Sequence, residues 1–341
     1  MIYSMDSDNM KMKIKFIVKY VVFLALTLFI CLYEFPYYID APGGLDNLNN
    51  KVKIEGAYEA KGSINLTYVS ELKATLPFLF IAYLHPDWKI ESKKSTNIGT
   101  LDYENYMLRE QILMRQSYTS AIKYAYETAN KDVSVEEEKC YVTYVFEGSK
   151  TDLQVSDQII SVDGVKINHC NEISSIVKNK KEGDTSKLVV VKNDKESVKT
   201  VEYKDFDGQI AIGIQLGIEY VLKTNPEYEM DFNQNEYGPS GGLMISLSVY
   251  NSLVETDITG GKTIAGTGTL EADGTVGEIG GIDYKLKGAV KKHADVFFAP
   301  SGENYEDAIK LKEERNYKID IVEVKTFTDA LEYLENNVVK K

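Results

Sequence analysis

The chain has few of the residues that build metal sites or histidine-dependent active sites. It contains three cysteines and three histidines, His85, His169 and His293, in 341 residues. No histidine lies in a His-Glu-x-x-His motif or another metal-ligand spacing, which disfavours a metalloprotease. We expect no metal and no cofactor. Counting alone leaves a peptidase that uses one of these histidines open as a minor hypothesis.

Basic charge is also scarce. The chain has 39 Lys and Arg residues against 52 Asp and Glu residues, so its formal net charge is −13. A chain without a basic stripe is a poor nucleic-acid binder, and we expect no nucleic-acid partner. The acidic excess favours solubility of the exposed part of the protein.

The cysteines leave two alternatives open. Cys31 lies in an apolar run, so only Cys140 and Cys170 remain in the rest of the chain. These two could pair in an oxidising compartment. They could equally stay as two buried thiols in a small domain.

One long apolar run lies near the N-terminus. Residues 20–33 carry no charge, and only Lys15 and Lys19 interrupt the stretch that begins at Ile14. A span needs about 20 residues, whereas a shorter run suits a signal-peptide core or a buried helix. Because no Ala-x-Ala-like cleavage site follows, the sequence predicts an uncleaved transmembrane anchor over residues 20–38, in contact with membrane lipid.

Charge asymmetry predicts the orientation of this anchor. Four lysines precede the run, whereas Glu34 and Asp40 follow it. The positive-inside rule therefore places residues 1–19 in the cytoplasm and residues from about 39 onward outside the cell. We expect a single-pass protein of the cell membrane whose folded domains lie outside the cell.

A glycine-rich turn presents one serine. Residues 235–243 read Asn-Glu-Tyr-Gly-Pro-Ser-Gly-Gly-Leu, and Ser240 stands just before an apolar helical run. Gly238 and Gly241 let backbone approach a substrate closely. The N–H groups of the following helix start can bind an oxyanion. An ordinary loop before a helix is the competing interpretation.

A lysine follows in a second motif, Glu-Ile-Gly-Gly-Ile-Asp-Tyr-Lys, which ends at Lys285. A serine hydroxyl is a weak nucleophile until a base takes its proton, and a lysine is such a base only when neutral. Burial lowers the lysine pKa from its usual value near about 10.4. Ser240 and Lys285 together predict a Ser/Lys hydrolase.

At these two motifs the chain resembles the proteolytic domain of the Lon family. Ser240 and Lys285 match the positions of the family's catalytic serine and lysine, and the resemblance covers roughly residues 206–338. Thr269 falls where Lon proteases carry a threonine near the dyad. The resemblance implies that Thr269 hydrogen-bonds the lysine amine.

The chain departs from Lon because it lacks a phosphate loop. The stretch Gly-Gly-Lys-Thr at residues 260–263 ends like a Walker motif, but Thr256 stands where that motif requires glycine. We expect a turn and the start of a strand there, and an enzyme that works without ATP.

The middle of the chain resembles a PDZ domain, expected over residues 139–204. A strand at residues 141–145, an Asp-Gly turn at Asp163 and a short helix at residues 172–178 follow in the order of that fold. PDZ domains bind an extended peptide at a sheet edge. The groove is expected between residues 142–146 and the helix near Ile173 and Val177.

Residues 103–130 form a predicted amphipathic helix that resembles a helix in the first half of Lon proteolytic domains. We therefore expect an α+β protein in which residues 39–138 and 205–341 form one Lon-like domain, with the PDZ-like domain inserted between its halves. An independent N-terminal α/β layer is the alternative.

Together the anchor, the PDZ-like segment and the Ser/Lys motifs resemble the membrane-anchored PDZ-containing Lon-like proteases of Gram-positive bacteria. The resemblance implies an ATP-independent endopeptidase that acts on secreted or membrane-bound peptides, signalling peptides among them. Lon-like domains often form rings, so a homo-oligomer is an expectation. The alternative is a membrane-tethered PDZ scaffold on a pseudo-protease.

Overall fold

The computed structural model describes residues 3–93, 101–231 and 236–340. The chain divides into two compact units. The first unit comprises residues 1–41 and 70–95, and the second comprises residues 42–69 and 96–341.

The first unit contains the apolar N-terminal helix and a small core. Its elements are α1 (Tyr3–Leu32), α2 (Leu76–Leu84) and β4 (Lys89–Ser92). It also includes the first part of β1 (Tyr37–Asn47), up to residue 41, and the last part of β3 (Ser63–Lys73), from residue 70. Within α1, the segment Met10–Leu32 is long and apolar enough to cross a membrane. The helix stops at Leu32, so the last residues of the predicted span 20–38 are not helical.

The second unit holds all remaining elements. Its helices are α3 (Tyr103–Thr128), α4 (Asn171–Val177), α5 (Gly242–Leu253), α6 (Ile282–Lys291), α7 (Glu303–Arg315) and α8 (Phe327–Leu334). Its first strands are β2 (Val52–Ile54), β5 (Asp132–Val145), β6 (Lys150–Thr151), β7 (Gln158–Val162), β8 (Val165–Lys166), β9 (Thr185–Lys192) and β10 (Lys195–Glu202). The later strands are β11 (Lys204–Phe206), β12 (Gln209–Ala211), β13 (Ile214–Asn225), β14 (Tyr228–Met230), β15 (Thr263–Gly266), β16 (Thr269–Leu270), β17 (Val276–Gly277), β18 (Val296–Pro300) and β19 (Asp320–Val324).

One sheet of the second unit joins strands from both ends of the sequence. Its strand order is β19-β18-β15-β3-β1. The pairings β19–β18, β18–β15 and β15–β3 are parallel, and Ile264 of β15 faces Ile64 of β3. Because a strand before the PDZ-like segment pairs with a strand after it, this sheet supports one domain split by an insertion.

Helix α5 is the central element of the core beside this sheet. The sequence predicts one apolar face, but every residue from Gly242 to Val249 is buried. The reason is that α5 is packed from several sides. Helix α3 covers one of them, where Ser246 Oγ donates a hydrogen bond to the Ala121 carbonyl over 3.1 Å.

The inserted segment forms a second sheet, with strand order β13-β5-β7-β9-β10-β6 and β8 paired to β7. This sheet begins in β5 before residue 139 and includes β13, which lies beyond residue 204. It therefore continues past both expected boundaries of the PDZ-like domain. Cys140 and Cys170 form a disulfide between β5 and the start of α4.

The predicted peptide-binding edge at residues 142–146 is paired on both sides at its first residue, Val142. Peptide binding along the rest of this edge stays a prediction. Strand β13 pairs with it along one side, where Leu216 faces Val142. On the other side, the Val142 N–H donates to the Asp157 carbonyl over 2.9 Å. Strand β13 lies beyond the expected domain boundary, so the sequence analysis missed this neighbour of β5.

Helix α3 covers part of the outer edge of β13. The Gln116 side chain accepts a hydrogen bond from the Ile218 N–H over 3.0 Å, and Thr119 Oγ1 accepts one from the Tyr220 N–H over 3.2 Å. Strand N–H groups that would otherwise be open to an added strand are thus used by side chains of the helix.

Candidate active site

The serine turn is held in place by α3. Ser240 is half-buried at the end of the Gly-Pro-Ser turn. Gly238 has a φ of +94°, a left-handed conformation that favours glycine, and its N–H donates to the Glu110 carbonyl over 3.3 Å. Ser117 Oγ donates to the Pro239 carbonyl over 2.8 Å. These bonds fix the backbone on either side of the turn.

The C-terminal side of the turn is hydrogen-bonded to the segment after β15, at Thr267 and Gly268. The Ser240 carbonyl accepts two hydrogen bonds, from the Gly268 N–H over 2.8 Å and from Thr267 Oγ1 over 3.0 Å. Gly242, at the start of α5, approaches so closely that a Cβ there would lie 2.7 Å from the Leu270 backbone nitrogen. Only glycine fits this position without a shift of the backbone.

Lys285 reaches the same segment from α6. Gly281, with a φ of +70°, precedes the helix, and its carbonyl accepts the Lys285 N–H over 3.1 Å. The lysine side chain points inward, and the residue is only 4% exposed. Its Nζ donates a hydrogen bond to Thr267 Oγ1 over 3.0 Å. Thr267 therefore connects the lysine amine to the serine backbone.

The threonine beside the lysine is Thr267, so the placement of Thr269 in that role is wrong. Thr269 belongs to the short hairpin of β16 and β17, where it pairs with Gly277. Its hydroxyl lies against that glycine, since a Cβ on Gly277 would be 2.4 Å from Thr269 Oγ1. The segment Ala-Gly-Thr-Gly-Thr offers two threonines, and only the turn after β15 decides which one faces Lys285.

Burial lowers the pKa of Lys285 from 10.5 to about 7. A buried ammonium group loses its hydration, and a threonine hydroxyl gives back much less stabilisation than a carboxylate. A substantial fraction of Lys285 is therefore neutral near neutral pH. This is the property that a lysine needs to act as a base.

The hydrogen-bond directions leave the lysine lone pair available. A threonine hydroxyl has one proton to donate. The Thr267 proton goes to the Ser240 carbonyl, which can only accept, so toward Lys285 the same hydroxyl acts as an acceptor. A neutral amine that donates one N–H to Thr267 retains its lone pair for another proton donor.

Asn304 fixes the turn that precedes Lys285. Its Oδ1 accepts the Ile279 N–H over 2.8 Å, and its Nδ2 donates to the Ile279 carbonyl over 3.0 Å. Asn304 is buried at the start of α7. No sequence motif indicates Asn304, because it lies in a helix that follows a separate strand.

Three charged side chains form an ion-pair group, and one of them, Glu236, comes just before the serine turn in the sequence. Lys51 contacts the carboxylates of Asp46 and Glu236. Burial acts to lower the pKa of Lys51, but hydrogen bonds to Asp46 and Glu236 outweigh it, and the pKa is raised. Glu236 is thus an ion-pair partner of Lys51.

The comparisons with known proteins agree with this geometry. Residues 234–336 match the family of Lon protease (S16) C-terminal proteolytic domains. This part of the chain is similar to Lon-type proteolytic domains, and the match supports a Lon-like serine protease. With the mixed helix and strand content, it confirms the expected α+β fold class.

Solved structures of small bacterial domains, one of them a PDZ domain, are similar to about a quarter of the chain. The PDZ domain of the SdrC-like protein from Listeria monocytogenes is 27% identical, and the match covers 24% of this chain and 92% of that one, with a TM-score of 0.22. The second domain of another Listeria protein is also 27% identical, with 24% and 87% covered and a TM-score of 0.21. No curated protein matches the chain.

Proposed function

We propose that the protein is a membrane-anchored endopeptidase that cleaves peptides and proteins with Ser240 as nucleophile and Lys285 as base. The observation that carries this proposal is the environment of Lys285. Its amine is buried, its pKa is lowered to about 7, and its hydrogen-bond acceptor Thr267 also donates to the carbonyl of Ser240.

In this mechanism neutral Lys285 removes the proton of the Ser240 hydroxyl as the oxygen attacks the scissile carbonyl. A tetrahedral intermediate forms, and the protonated amine then donates its proton to the leaving nitrogen. In the second half of the reaction, neutral Lys285 removes a proton from water as the water oxygen attacks the acyl carbon. The protonated amine then returns the proton to the Ser240 oxygen as it leaves. Thr267 positions the amine throughout, since its hydroxyl keeps donating its proton in a hydrogen bond to the Ser240 carbonyl and accepts from Lys285.

The backbone around Ser240 supplies the candidate oxyanion donors. The first N–H groups of a helix have no partner within that helix. At the start of α5, the Leu243 N–H donates to the Gly268 carbonyl over 3.2 Å. The N–H groups of Gly241 and Gly242 therefore remain the best-placed donors for the oxygen of a tetrahedral intermediate.

Three features support an ATP-independent enzyme at the outer membrane surface. The Gly-Gly-Lys-Thr stretch at residues 260–263 is a turn that leads into β15, not a phosphate loop. The segment Met10–Leu32 suits a membrane anchor, with the lysine-rich end inside by the positive-inside rule. The Cys140–Cys170 disulfide fits an oxidising exterior. Secreted or membrane-bound peptides are the proposed substrates.

The test is cleavage of casein without ATP by the full chain in detergent, followed by mass spectrometry. The variants are Ser240→Ala and Lys285→Ala, and the matched control is Lys291→Ala, an exposed lysine on the same helix as Lys285. We expect cleavage by wild type and by the control only, with losses of about 10²- to 10⁴-fold in the two dyad variants. Equal cleavage by all four proteins would overturn the dyad. Binding of peptides without cleavage would favour the scaffold alternative.

A further inference from the structure

Helix α2 of the first unit presents an exposed apolar face. Its nine residues, Leu-Pro-Phe-Leu-Phe-Ile-Ala-Tyr-Leu, include no charged side chain. Phe80 is 65% exposed, Tyr83 84% and Leu84 61%. The opposite face packs into the small core of the unit through Leu79 and Ala82. A contiguous apolar surface of this kind marks an interaction site.

The start of α2 is fastened to the end of α1. The Phe35 N–H, three residues after α1 ends, donates to the Ala74 carbonyl over 2.9 Å. The side chains of Glu34 and Lys73 form an ion pair of 2.6 Å beside it. Thr75, the next residue, is the N-cap of α2. The apolar helix therefore begins where the apolar N-terminal helix ends.

This attachment sets the depth of α2 if Met10–Leu32 occupies the hydrocarbon layer. Tyr33 and Phe35, whose rings make an edge contact 5.0 Å apart, then lie at the level of the lipid headgroups, as interfacial aromatic residues do. The start of α2 shares that level. A nine-residue helix is about 13 Å long, too short to span a bilayer but long enough to lie in its surface.

The residues after α2 also include an aromatic side chain of the kind found at a membrane surface. Trp88, the only tryptophan of the chain, stacks on His85 with ring centroids 5.2 Å apart. Tryptophan favours the boundary between apolar chains and water, because its ring is apolar and its N–H donates a hydrogen bond.

We propose that α2 is an interfacial membrane helix whose residues Phe80, Tyr83 and Leu84 insert into the lipid surface. The proposal rests on the membrane anchoring of α1 proposed above. It gives the first unit two contacts with the bilayer, one through the span and one in the plane. Two contacts restrict rotation of this unit about the anchor, which a single span does not.

The test uses the full chain in vesicles of phosphatidylethanolamine and phosphatidylglycerol, with or without bromine on the acyl chains. Trp88→Phe removes the native fluorophore, and Tyr83→Trp introduces one on the exposed face of α2. The matched control is Val198→Trp in the same background, because Val198 is 62% exposed on β10. We expect bromine to quench the Tyr83→Trp emission at least about twofold and to leave the Val198→Trp emission unchanged.

A carbonate wash of the same vesicles reports separately on α1. If the chain stays with the vesicles but bromine affects neither tryptophan, the α2 proposal is overturned and the anchor stands. If carbonate releases the chain, both membrane proposals are overturned, whereas casein cleavage still reports on Ser240 and Lys285. Protection of Tyr83→Trp from aqueous iodide without quenching by bromine would assign the face to a protein contact and overturn the lipid assignment.

Discussion

A buried lysine of the second unit, Lys285, and a partly buried one, Lys51, have pKa values shifted in opposite directions. Lys285 has a threonine hydroxyl as its hydrogen-bond acceptor, and burial lowers its pKa to about 7. Lys51 is also partly removed from water, yet its pKa is raised because Asp46 and Glu236 surround it. Burial is common to both residues, so it does not by itself make a lysine a base. What distinguishes Lys285 is that no carboxylate among the described residues compensates its charge.

The two lysines also differ in their effect on the stability of the fold. The ammonium of Lys51 is neutralised locally and stabilises two acidic side chains. Lys285 is held in an environment that disfavours its charged form, which is typical of functional sites. The proposed catalytic role therefore predicts a stability penalty at Lys285 and none at Lys51.

The largest expected effect is on stability, and it has opposite signs at the two lysines. Lys285→Met should stabilise the fold below pH 7, because a pKa lowered from 10.5 to about 7 corresponds to a cost of about 5 kcal/mol at most. Lys51→Met should destabilise by about 1 to 3 kcal/mol, since it leaves two partly exposed carboxylates without their cation. Thermal unfolding in detergent, followed by circular dichroism, measures both changes.

The pH dependence of the Lys285→Met effect provides the control. Between pH 7 and 10.5 the unfolded chain binds the lysine proton and the folded chain has lost it, so wild-type stability rises with pH. The advantage of Lys285→Met should therefore shrink as the pH approaches 10. A stabilisation that is constant across this range would come from packing and would contradict a lowered pKa.

A carboxylate placed beside Lys285 would give this lysine the kind of partner that Lys51 has. Thr267→Asp places a carboxylate beside the amine, which should raise the lysine pKa by one to three units, as opposite charges do. Peptide cleavage at pH 7 should then fall by about 5- to 500-fold, with recovery at pH 10. Thr267→Asn, of nearly the same volume and uncharged, is the matched control. Equal losses in both variants would show that packing, not charge, is responsible.

The third prediction concerns the pH profile of the wild-type enzyme. Because only the neutral amine acts as a base, kcat/KM should rise through an apparent pKa of about 7 and level off above it. From pH 7 down to 5.5 the rate should drop by about 20-fold. Hydrolysis of a fluorogenic peptide measures this profile. An apparent pKa near 10 would indicate an ordinary lysine and argue against the proposed base.

The smallest expected effect concerns Asn304, which holds the turn that positions Lys285. Asn304→Ala removes both hydrogen bonds to Ile279, so the turn before α6 should hold the amine less accurately. We expect kcat to fall about tenfold with little change in KM, since the residue does not contact substrate. Glu303→Ala, exposed at the start of the same helix, is the control. An increase in KM alone would assign Asn304 to substrate binding.

Much of the organisation was predictable because it depends on contiguous residues. The long helix expected at residues 103–130 is α3, which ends at Thr128. The Lon-type proteolytic domain was identified from two motifs, and residues 234–336 confirm it. The roles of Ser240 and Lys285 remain predictions, although the structure brings both residues to Thr267.

The errors came from contacts between residues distant in sequence. The boundary of the PDZ-like domain was misplaced because β13 pairs with β5 from beyond residue 204. Thr269 was preferred to Thr267 because spacing cannot show where a strand turns into a hairpin. The pairing of Cys140 with Cys170 was left open for the same reason, since it depends on how α4 packs on β5.

The sequence by itself determined the residue types of the site, the apolar N-terminal helix and the Lon-type domain, because each depends on a local pattern of glycines, apolar residues and charges. The tertiary structure decided which threonine faces Lys285, which strand edge is covered and how far the lysine pKa falls. Burial and hydrogen-bond partners come from elements far apart in the chain. A pKa is set by that whole environment, so no local motif contains it.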